Sequence, residues 1–195
     1  NPYNGDMLRL NFFASSSKEP PREPHSFMLP LPEPIDVTRS DDDLLCLKWQ
    51  EKADRTVIYA GSNPQALTEM SPILSVSGAR EATVAGLNTA VRHYFRLEFR
   101  GGAWDGRSFI AAERVLPCQK GVNLRDVGGY YTNDGQMVRW GNLYRSGSLS
   151  QLTQSDLAYL QRLGLKLVTD LRTSSERTKQ PDKLPDDPNL IERPL

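Results

Sequence analysis

Residues 123–129 read Asn-Leu-Arg-Asp-Val-Gly-Gly, and two motifs follow in order: Leu-Tyr-Arg-Ser-Gly at 143–147 and Val-Thr-Asp-Leu-Arg at 168–172. Each motif contains an arginine, whose planar guanidinium suits two-pronged recognition of phosphate or carboxylate. Gly128 and Gly129 give the first motif the composition of a tight loop with left-handed backbone. The first motif is therefore predicted to form a tight loop, and Arg145 of the second motif is suited to binding phosphate or carboxylate.

A helix is predicted between the second and third motifs, within residues 150–164. Thr153 is a suitable N-cap, and Asp156 three residues later makes an acidic relative of the capping box. Gly164 stands where a left-handed residue ends a helix. One face of the predicted helix is apolar and consists of Leu157, Leu160 and Leu163.

After this helix, residues 165–170 predict a buried strand, and a helix followed by a strand indicates an α/β domain. Because ligands bind beyond the carboxyl ends of strands in open α/β sheets, Asp170 and Arg172 are candidates for the edge of a pocket. An internal salt bridge between them is the alternative. Glu176 and Arg177 are interpreted as the solvated start of a further helix.

In order and spacing, the three motifs resemble the first half of the bacterial tyrosine and dual-specificity phosphatases that begin with an "NFRDLGG" motif. The resemblance covers roughly residues 121–193 and implies part of an α/β cysteine-phosphatase domain over residues 118–195. It implies hydrolysis of phosphate monoesters through a cysteinyl-phosphate, with no metal and no cofactor. It also implies that six residues support the phosphate pocket: Asn123, Arg125, Asp126, Arg145, Asp170 and Arg172. For the first motif, the alternative is an Arg–Asp hydrogen-bond pair that pins the loop to the core.

The nucleophile of such an enzyme is missing from this sequence. A cysteine phosphatase needs a low-pKa thiolate in an amide-lined Cys-x5-Arg loop. Cys118 and Arg125 are spaced as Cys-x6-Arg, and the residue six places after Cys46 is Lys52. We therefore expect no catalytic residue in this chain, no activity from it alone, and a catalytic loop beyond Leu195. We also expect the missing C-terminal half, or a second chain, to cover a parallel sheet that one helix leaves half exposed.

Residues 35–117 carry a different pattern, with about seven short strands separated by turns, typical of an antiparallel β-sandwich. Leu45, Leu47 and Trp49 alternate with other residues, and so do Phe95, Leu97 and Phe99. This part resembles a fibronectin type III-like module. The position of that family's corner tyrosine holds His93, with Tyr94 one residue later, which puts the corner hydrogen bond in question. The fold class is thus predicted as α+β.

The rest of the chain sets limits on function. Residues 1–34 hold half of the 14 prolines and are predicted to be an extended leader or linker. With 24 basic and 24 acidic side chains, no charge excess indicates nucleic acid, and no apolar run is long enough to span a membrane. Cys46 is predicted to be a small buried hydrophobe. A phosphorylated protein is the expected partner, phosphotyrosine first, with phosphoserine, phosphothreonine or phosphoinositide open.

Two questions stay open at the level of sequence. The compartment is not fixed, although an accessory sandwich and a Pro-rich leader suit a periplasmic or secreted protein. The alternative function is a non-catalytic scaffold whose β-sandwich docks a protein or a polysaccharide. The reading frame after residue 195 would separate the two functions, because an enzyme requires a Cys-x5-Arg loop there.

Overall fold

The computed structural model describes residues 34–132 and 134–194. The described chain is rich in sheet and has two short α-helices, in agreement with the α+β prediction. The predicted leader over residues 1–34 lies outside the described residues except for Pro34. No helix in the described ranges is long and apolar enough to cross a membrane.

Residues 35–112 form two antiparallel sheets that share one hydrophobic cluster, and we call this part the two-sheet unit. The first sheet has the order β1-β2-β5 and the second the order β4-β3-β6-β7, with a single 3-10 turn at Pro64–Ala66. The strands are β1 (Ile35–Arg39), β2 (Leu45–Trp49), β3 (Arg55–Gly61), β4 (Pro72–Ser77), β5 (Glu81–Val84), β6 (Tyr94–Arg100) and β7 (Ser108–Ala112).

The core of the two-sheet unit follows the predicted period of two. The alternating residues of β2 and β6 are buried, and the rings of Trp49 and Phe99 meet edge to face with centroids 6.0 Å apart. The prediction for Cys46 was wrong, because this residue lies between two inward-facing leucines of β2 and therefore points to the outer face. Its side chain is half-buried, and its Sγ lies 3.9 Å from the Thr83 hydroxyl.

At the start of β6, His93 and Tyr94 make different contacts. His93 Nε2 donates a hydrogen bond to the carbonyl oxygen of Asn88, five residues upstream, at 2.9 Å. Tyr94 is buried and belongs to a cluster with Ala112 and Trp140. Since neighbouring residues of a strand face opposite sides, the histidine makes the backbone contact while the tyrosine packs toward the second part of the chain.

The second part of the chain, from Leu116, consists of short elements around its own cluster of leucines. Two small sheets form, one antiparallel (β8 with β9) and one parallel (β10 with β11). The elements are β8 (Arg125–Asp126), β9 (Tyr144–Arg145), α1 (Gln154–Leu163), β10 (Leu167–Asp170), α2 (Ser174–Lys179) and β11 (Ile191–Pro194).

Helix α1 has the predicted ends. Thr153 is the N-cap of a complete capping box with Asp156, and Gly164 closes the helix with φ 66° and ψ 40°. Its apolar face packs on the leucine cluster, where Leu160 is buried and the flanking Leu157 and Leu163 are partly buried.

Strand β10 differs from its prediction. It begins at Leu167 rather than residue 165, and it is not buried on both faces. Val168 packs against the leucine cluster, whereas Leu167 and Ile191 of the paired strand are each 53% exposed. The pleat turns alternate residues to opposite sides, and within the described ranges only one side of this two-stranded sheet is covered.

Candidate functional site

The first motif lies in a small sheet whose two faces have opposite character. Arg125 of β8 stands opposite Arg145 of β9, and an isolated bridge pairs it with Val115 on its other side. Residues directly opposite one another in antiparallel strands share a face, so these three side chains lie on the outer face. The preceding Leu124 and the following Asp126 are buried on the inner face.

Among the described residues, the two arginines of the outer face have no carboxylate partner. Arg145 is exposed, and within the described ranges its side chain has no hydrogen bond or ion pair. Arg125 donates from Nη2 to the side-chain oxygen of Asn123, while its Nε is buried and unpartnered among the described residues. Like charges directly opposite each other in a sheet are unfavourable. An anion that accepts from both guanidinium groups would remove that repulsion.

Asp126 occupies the buried inner face and is fully enclosed, at 0% exposure. Its carboxylate accepts hydrogen bonds from the backbone amides of Gly128 (2.7 Å) and Gly141 (2.8 Å). Its third partner is Arg92 Nη2 at 3.0 Å, from the two-sheet unit. An Arg–Asp pair thus does pin this loop, but the arginine is 34 residues distant and not the adjacent Arg125.

The two glycines of the motif are explained by close contact with Trp140. Gly129 has φ +82°, a left-handed conformation that side chains with a Cβ rarely adopt, and an added Cβ would overlap the Trp140 ring. A Cβ on Gly128 would lie 2.5 Å from the Trp140 Cα. The tight loop predicted from the Gly-Gly pair is therefore confirmed, and the packed tryptophan is its cause.

The third motif forms a closed network of charges at the end of β10. Arg172 donates to both carboxylate oxygens of Asp170 (2.7–3.1 Å) and lies 2.8 Å from Asp182 Oδ1. Its Nη1 donates to the carbonyl of Gln180 and to the hydroxyl of Ser148. Hydrogen bonds from Arg172 lower the pKa of Asp170. With every side-chain nitrogen of Arg172 engaged, the contacts match the internal salt bridge.

Helix α2 follows this network and matches the predicted solvated helix start. Thr173 and Glu176 form a capping box, and the hydrogen bonds from Thr173 lower the pKa of Glu176. The helix buries no residue, and Arg177 donates from Nη1 to the carbonyl of Arg172. Glu176 therefore serves the end of its own helix.

Cys118 lies beside the leucine cluster, half-buried. Burial, with a smaller contribution from the nearby Asp156, raises the pKa of the Cys118 thiol to about 11. A thiol with that pKa is protonated at neutral pH and is a poor nucleophile. Among the described residues, no group of three metal-binding side chains could hold a metal ion.

With this geometry in place, the second part of the chain can be compared with known proteins. Residues 116–195 match the model of the tyrosine phosphatase family. A Cupriavidus necator protein named "Putative tyrosine-protein phosphatase" is 43% identical over 58 residues, which are 30% of this chain and 21% of that relative. The chain thus spans about a fifth of the length of the relative it matches. We call residues 116–195 the family-matched segment.

Within the family-matched segment, the six predicted site residues separate into three places. Arg125, Asn123 and Arg145 share the outer face of the β8–β9 sheet. Asp126 lies on its inner face, and Asp170 with Arg172 forms the closed network at β10. Ser148 connects the outer face of the β8–β9 sheet with the network at β10. It lies three residues after Arg145, and its hydroxyl accepts a hydrogen bond from Arg172.

Sequence reasoning missed the arginines that reach the first motif from the two-sheet unit. Arg92 precedes β6 and Arg114 follows β7, so both lie in connections where charged residues are ordinarily solvated. Arg92 is only 6% exposed. Its position two residues before a buried strand is the sole local signal, and that signal does not indicate a partner 34 residues away.

Proposed function

We propose that this chain is the N-terminal portion of a protein-tyrosine or dual-specificity phosphatase that hydrolyses phosphate monoesters through a cysteinyl-phosphate. The observation that carries the proposal is the family match over residues 116–195. The Cys-x5-Arg loop would come from sequence beyond Leu195, since the neutral thiol of Cys118 is unsuited to attack on phosphorus. The chain of 195 residues is then inactive by itself.

The contribution of this segment to catalysis is an electropositive wall beside the phosphate. Arg125 and Arg145 stand opposite each other on an exposed face, without a neutralising carboxylate among the described residues. A phosphate dianion accepts charge-assisted hydrogen bonds from guanidinium groups, and such bonds are about twice as strong as neutral ones. Asp170 and Arg172 would have a supporting role, because they already satisfy each other.

Apolar side chains beside the two arginines favour an aryl phosphate such as phosphotyrosine as the substrate. Val115 stands opposite Arg125 on the outer face and is 64% exposed. Leu143 lies two residues before Arg145, hence on the same face, and is 48% exposed. A phenyl ring could rest on these aliphatic groups while its phosphate meets the arginines, which a short phosphoserine side chain could not do as well.

The two-sheet unit is proposed to be a fibronectin type III-like sandwich. Its sheet orders β1-β2-β5 and β4-β3-β6-β7, with the Trp49 ring against Phe99 in the shared core, support this. The hydrogen bond from His93 to the Asn88 carbonyl resembles a tyrosine corner made by histidine.

The test uses a chain extended through the reading frame after residue 195. We expect the extended protein to hydrolyse p-nitrophenyl phosphate and orthovanadate to inhibit it. Arg145→Ala should raise KM by about tenfold, since a charge-assisted hydrogen bond to the phosphate is lost. Arg107→Ala is the matched control, because Arg107 is an exposed arginine in the turn before β7.

Two results would overturn the proposal. One is a reading frame without Cys-x5-Arg together with an inactive extended protein, which would favour the scaffold alternative. The other is an active protein in which Arg145→Ala and Arg107→Ala have the same KM as the wild type. That result would exclude a role for Arg145 in phosphate binding.

A further inference from the structure

Two arginines that hold the first motif lie outside the family-matched segment. Residues 116–195 match the family. Arg92 lies in the connection before β6, and Arg114 lies in the connection after β7. Both side chains nevertheless end on residues 126–128 of the motif. The contacts therefore join the two-sheet unit to the part of the segment that carries Arg125.

Arg92 binds the side chain of the motif. Its Nη2 donates to Asp126 Oδ2 at 3.0 Å, and the side chains of the two residues are 4% and 0% exposed. The guanidinium carbon also lies over the rings of Tyr94 (5.2 Å) and Tyr144 (5.9 Å). A charge pair so deeply buried tolerates little displacement, because either ion left alone would be costly to bury.

Arg114 binds the backbone of the same motif. Its Nη1 donates to the carbonyl oxygen of Asp126 at 2.7 Å, and its Nη2 donates to that of Gly128 at 2.8 Å. The guanidinium is stacked between the rings of Tyr130 and Trp140, at 4.1 and 4.8 Å from their centroids. The contacts with the two rings fix the orientation of the guanidinium, and its two donors therefore fix the positions of the Asp126 and Gly128 carbonyl groups.

We propose that Arg92 and Arg114 are positioning residues, through which the two-sheet unit sets the place of Arg125 in the phosphate-binding wall. Arg125 precedes Asp126 directly, so displacement of Asp126 would move Arg125 relative to Arg145. The two-sheet unit is then a required part of the phosphatase fold and not a detachable docking module. The inference rests on the proposed function for its kinetic consequence, but not for the contacts themselves.

The first experiment measures amide hydrogen exchange in the 195-residue chain. Arg92→Met should speed exchange at the amides of Gly128 and Gly141 by tenfold or more, because both donate to the carboxylate that Arg92 holds. Amides of the β3–β6 ladder should keep their wild-type rates, and Arg107→Met serves as the matched control. Unchanged exchange at both glycines would overturn the proposal, and so would equal acceleration throughout the chain.

A second variant covers the case in which Arg92→Met does not fold. Arg92→Lys keeps the charge but lacks the planar guanidinium that lies over the rings of Tyr94 and Tyr144, so its exchange rates at Gly128 and Gly141 should lie above those of the wild type. Wild-type rates at both amides in the lysine variant would contradict the need for the guanidinium.

The kinetic experiment uses the extended protein and p-nitrophenyl phosphate. Arg92→Lys should raise KM by about tenfold while kcat changes less than about twofold, since a displaced wall weakens phosphate binding. A purely structural role would lower the amount of active enzyme and leave KM unchanged. Absence of turnover in the wild type would contradict the proposed function alone, because the exchange experiment still tests the contacts.

Discussion

Asp126 and Asp170 each have an arginine one or two residues away in the sequence, but the partners that balance their charges differ. Asp170 pairs with Arg172, two residues away, and with it forms a local network at the end of β10. Asp126 forms its ion pair with Arg92, from the two-sheet unit, and not with its neighbour Arg125. Strand geometry decides the difference, because consecutive residues of β8 point to opposite faces.

Removal of the Asp126 charge should destabilise the whole chain. In Asp126→Asn, Arg92 keeps its buried charge without a counter-ion, for which a loss of about 3 kcal/mol in unfolding free energy is expected. Urea denaturation at pH 7 measures it. The control is Asp36→Asn, at an exposed position of β1, which should change stability by less than about 0.5 kcal/mol. Equal midpoints for the two variants would mean that the buried ion pair contributes nothing.

The local contacts of single residues were predictable where partners are close in sequence. The capping box of Thr153 and Asp156, and the ion pair of Asp170 with Arg172, follow from spacings of three and two residues. The contact of Arg92 with Asp126 could not be predicted, because it depends on how two separately patterned parts of the chain meet.

At the scale of elements, the loop after β8 is held by the indole of Trp140 as much as by its own backbone. Gly129 and Gly135 both have left-handed φ, at +82° and +80°, but only the Cβ of an alanine at 129 would meet the indole. An alanine at 135 would therefore report the cost of the left-handed backbone alone, and an alanine at 129 would add the cost of steric overlap with Trp140.

A pair of alanine variants tests this separation. Gly135→Ala should cost about 1 kcal/mol of unfolding free energy, from the left-handed backbone alone. Gly129→Ala should cost about 1–3 kcal/mol more, because the new methyl group must displace Trp140. Tryptophan fluorescence during urea unfolding reports both. Equal losses in the two variants would show that Trp140 yields without cost.

Asp156 connects helix α1 to the chain after Cys118 and gives this part of the fold a dependence on pH. Desolvation by itself raises the pKa of Asp156, but hydrogen bonds from the backbone amides of Thr153, Gln119 and Lys120 outweigh it and lower the pKa. A carboxyl with a depressed folded pKa stabilises the fold above its unfolded pKa of about 3.9. That stabilisation is lost as pH falls through the folded value.

Stability should therefore fall below about pH 4, and Asp156 should contribute to the slope. Asp156→Asn cannot titrate, so its unfolding free energy should be lower at pH 7 but should decline less between about pH 4 and 2. Thermal or urea unfolding over this range measures the slope. A variant curve that runs parallel to the wild type would rule out the contribution.

Elements were predictable from the sequence to the extent that their own residues define them. The alternation in β2 and β6 and the ends of α1 were confirmed, since period and capping are local properties. The predicted burial of β10 was not confirmed, because the sequence of a strand does not indicate how many neighbouring elements will cover it. Likewise, Cys46 was placed inside although its strand turns it outward.

At the scale of the whole molecule, the two parts of the chain are joined by a shared interior. The cluster of Leu67, Tyr94, Ala112 and Trp140 contains residues from both parts. Trp140 also donates from its indole nitrogen to the carbonyl of Ile110 at 3.1 Å. The boundary predicted near residue 117 stays a prediction, and the contacts across it explain why loss of one part should disturb the other.

The outer face of the β10–β11 sheet indicates where more of the protein would pack. Leu167 and Ile191 are each 53% exposed there, and Leu171, which directly follows β10, is 75% exposed. If the catalytic loop follows residue 195, as proposed, its supporting elements have an apolar surface to cover. Exposed aliphatic side chains on this face are then a property of the 195-residue chain and not of the intact enzyme.

We propose that this chain forms one wall of a phosphatase pocket and that the nucleophile comes from sequence beyond Leu195. The pure 195-residue chain and the chain extended through its reading frame are compared for release of p-nitrophenol from p-nitrophenyl phosphate. We expect no turnover from the first and vanadate-sensitive turnover from the second. Turnover by the 195-residue chain itself would overturn the proposal.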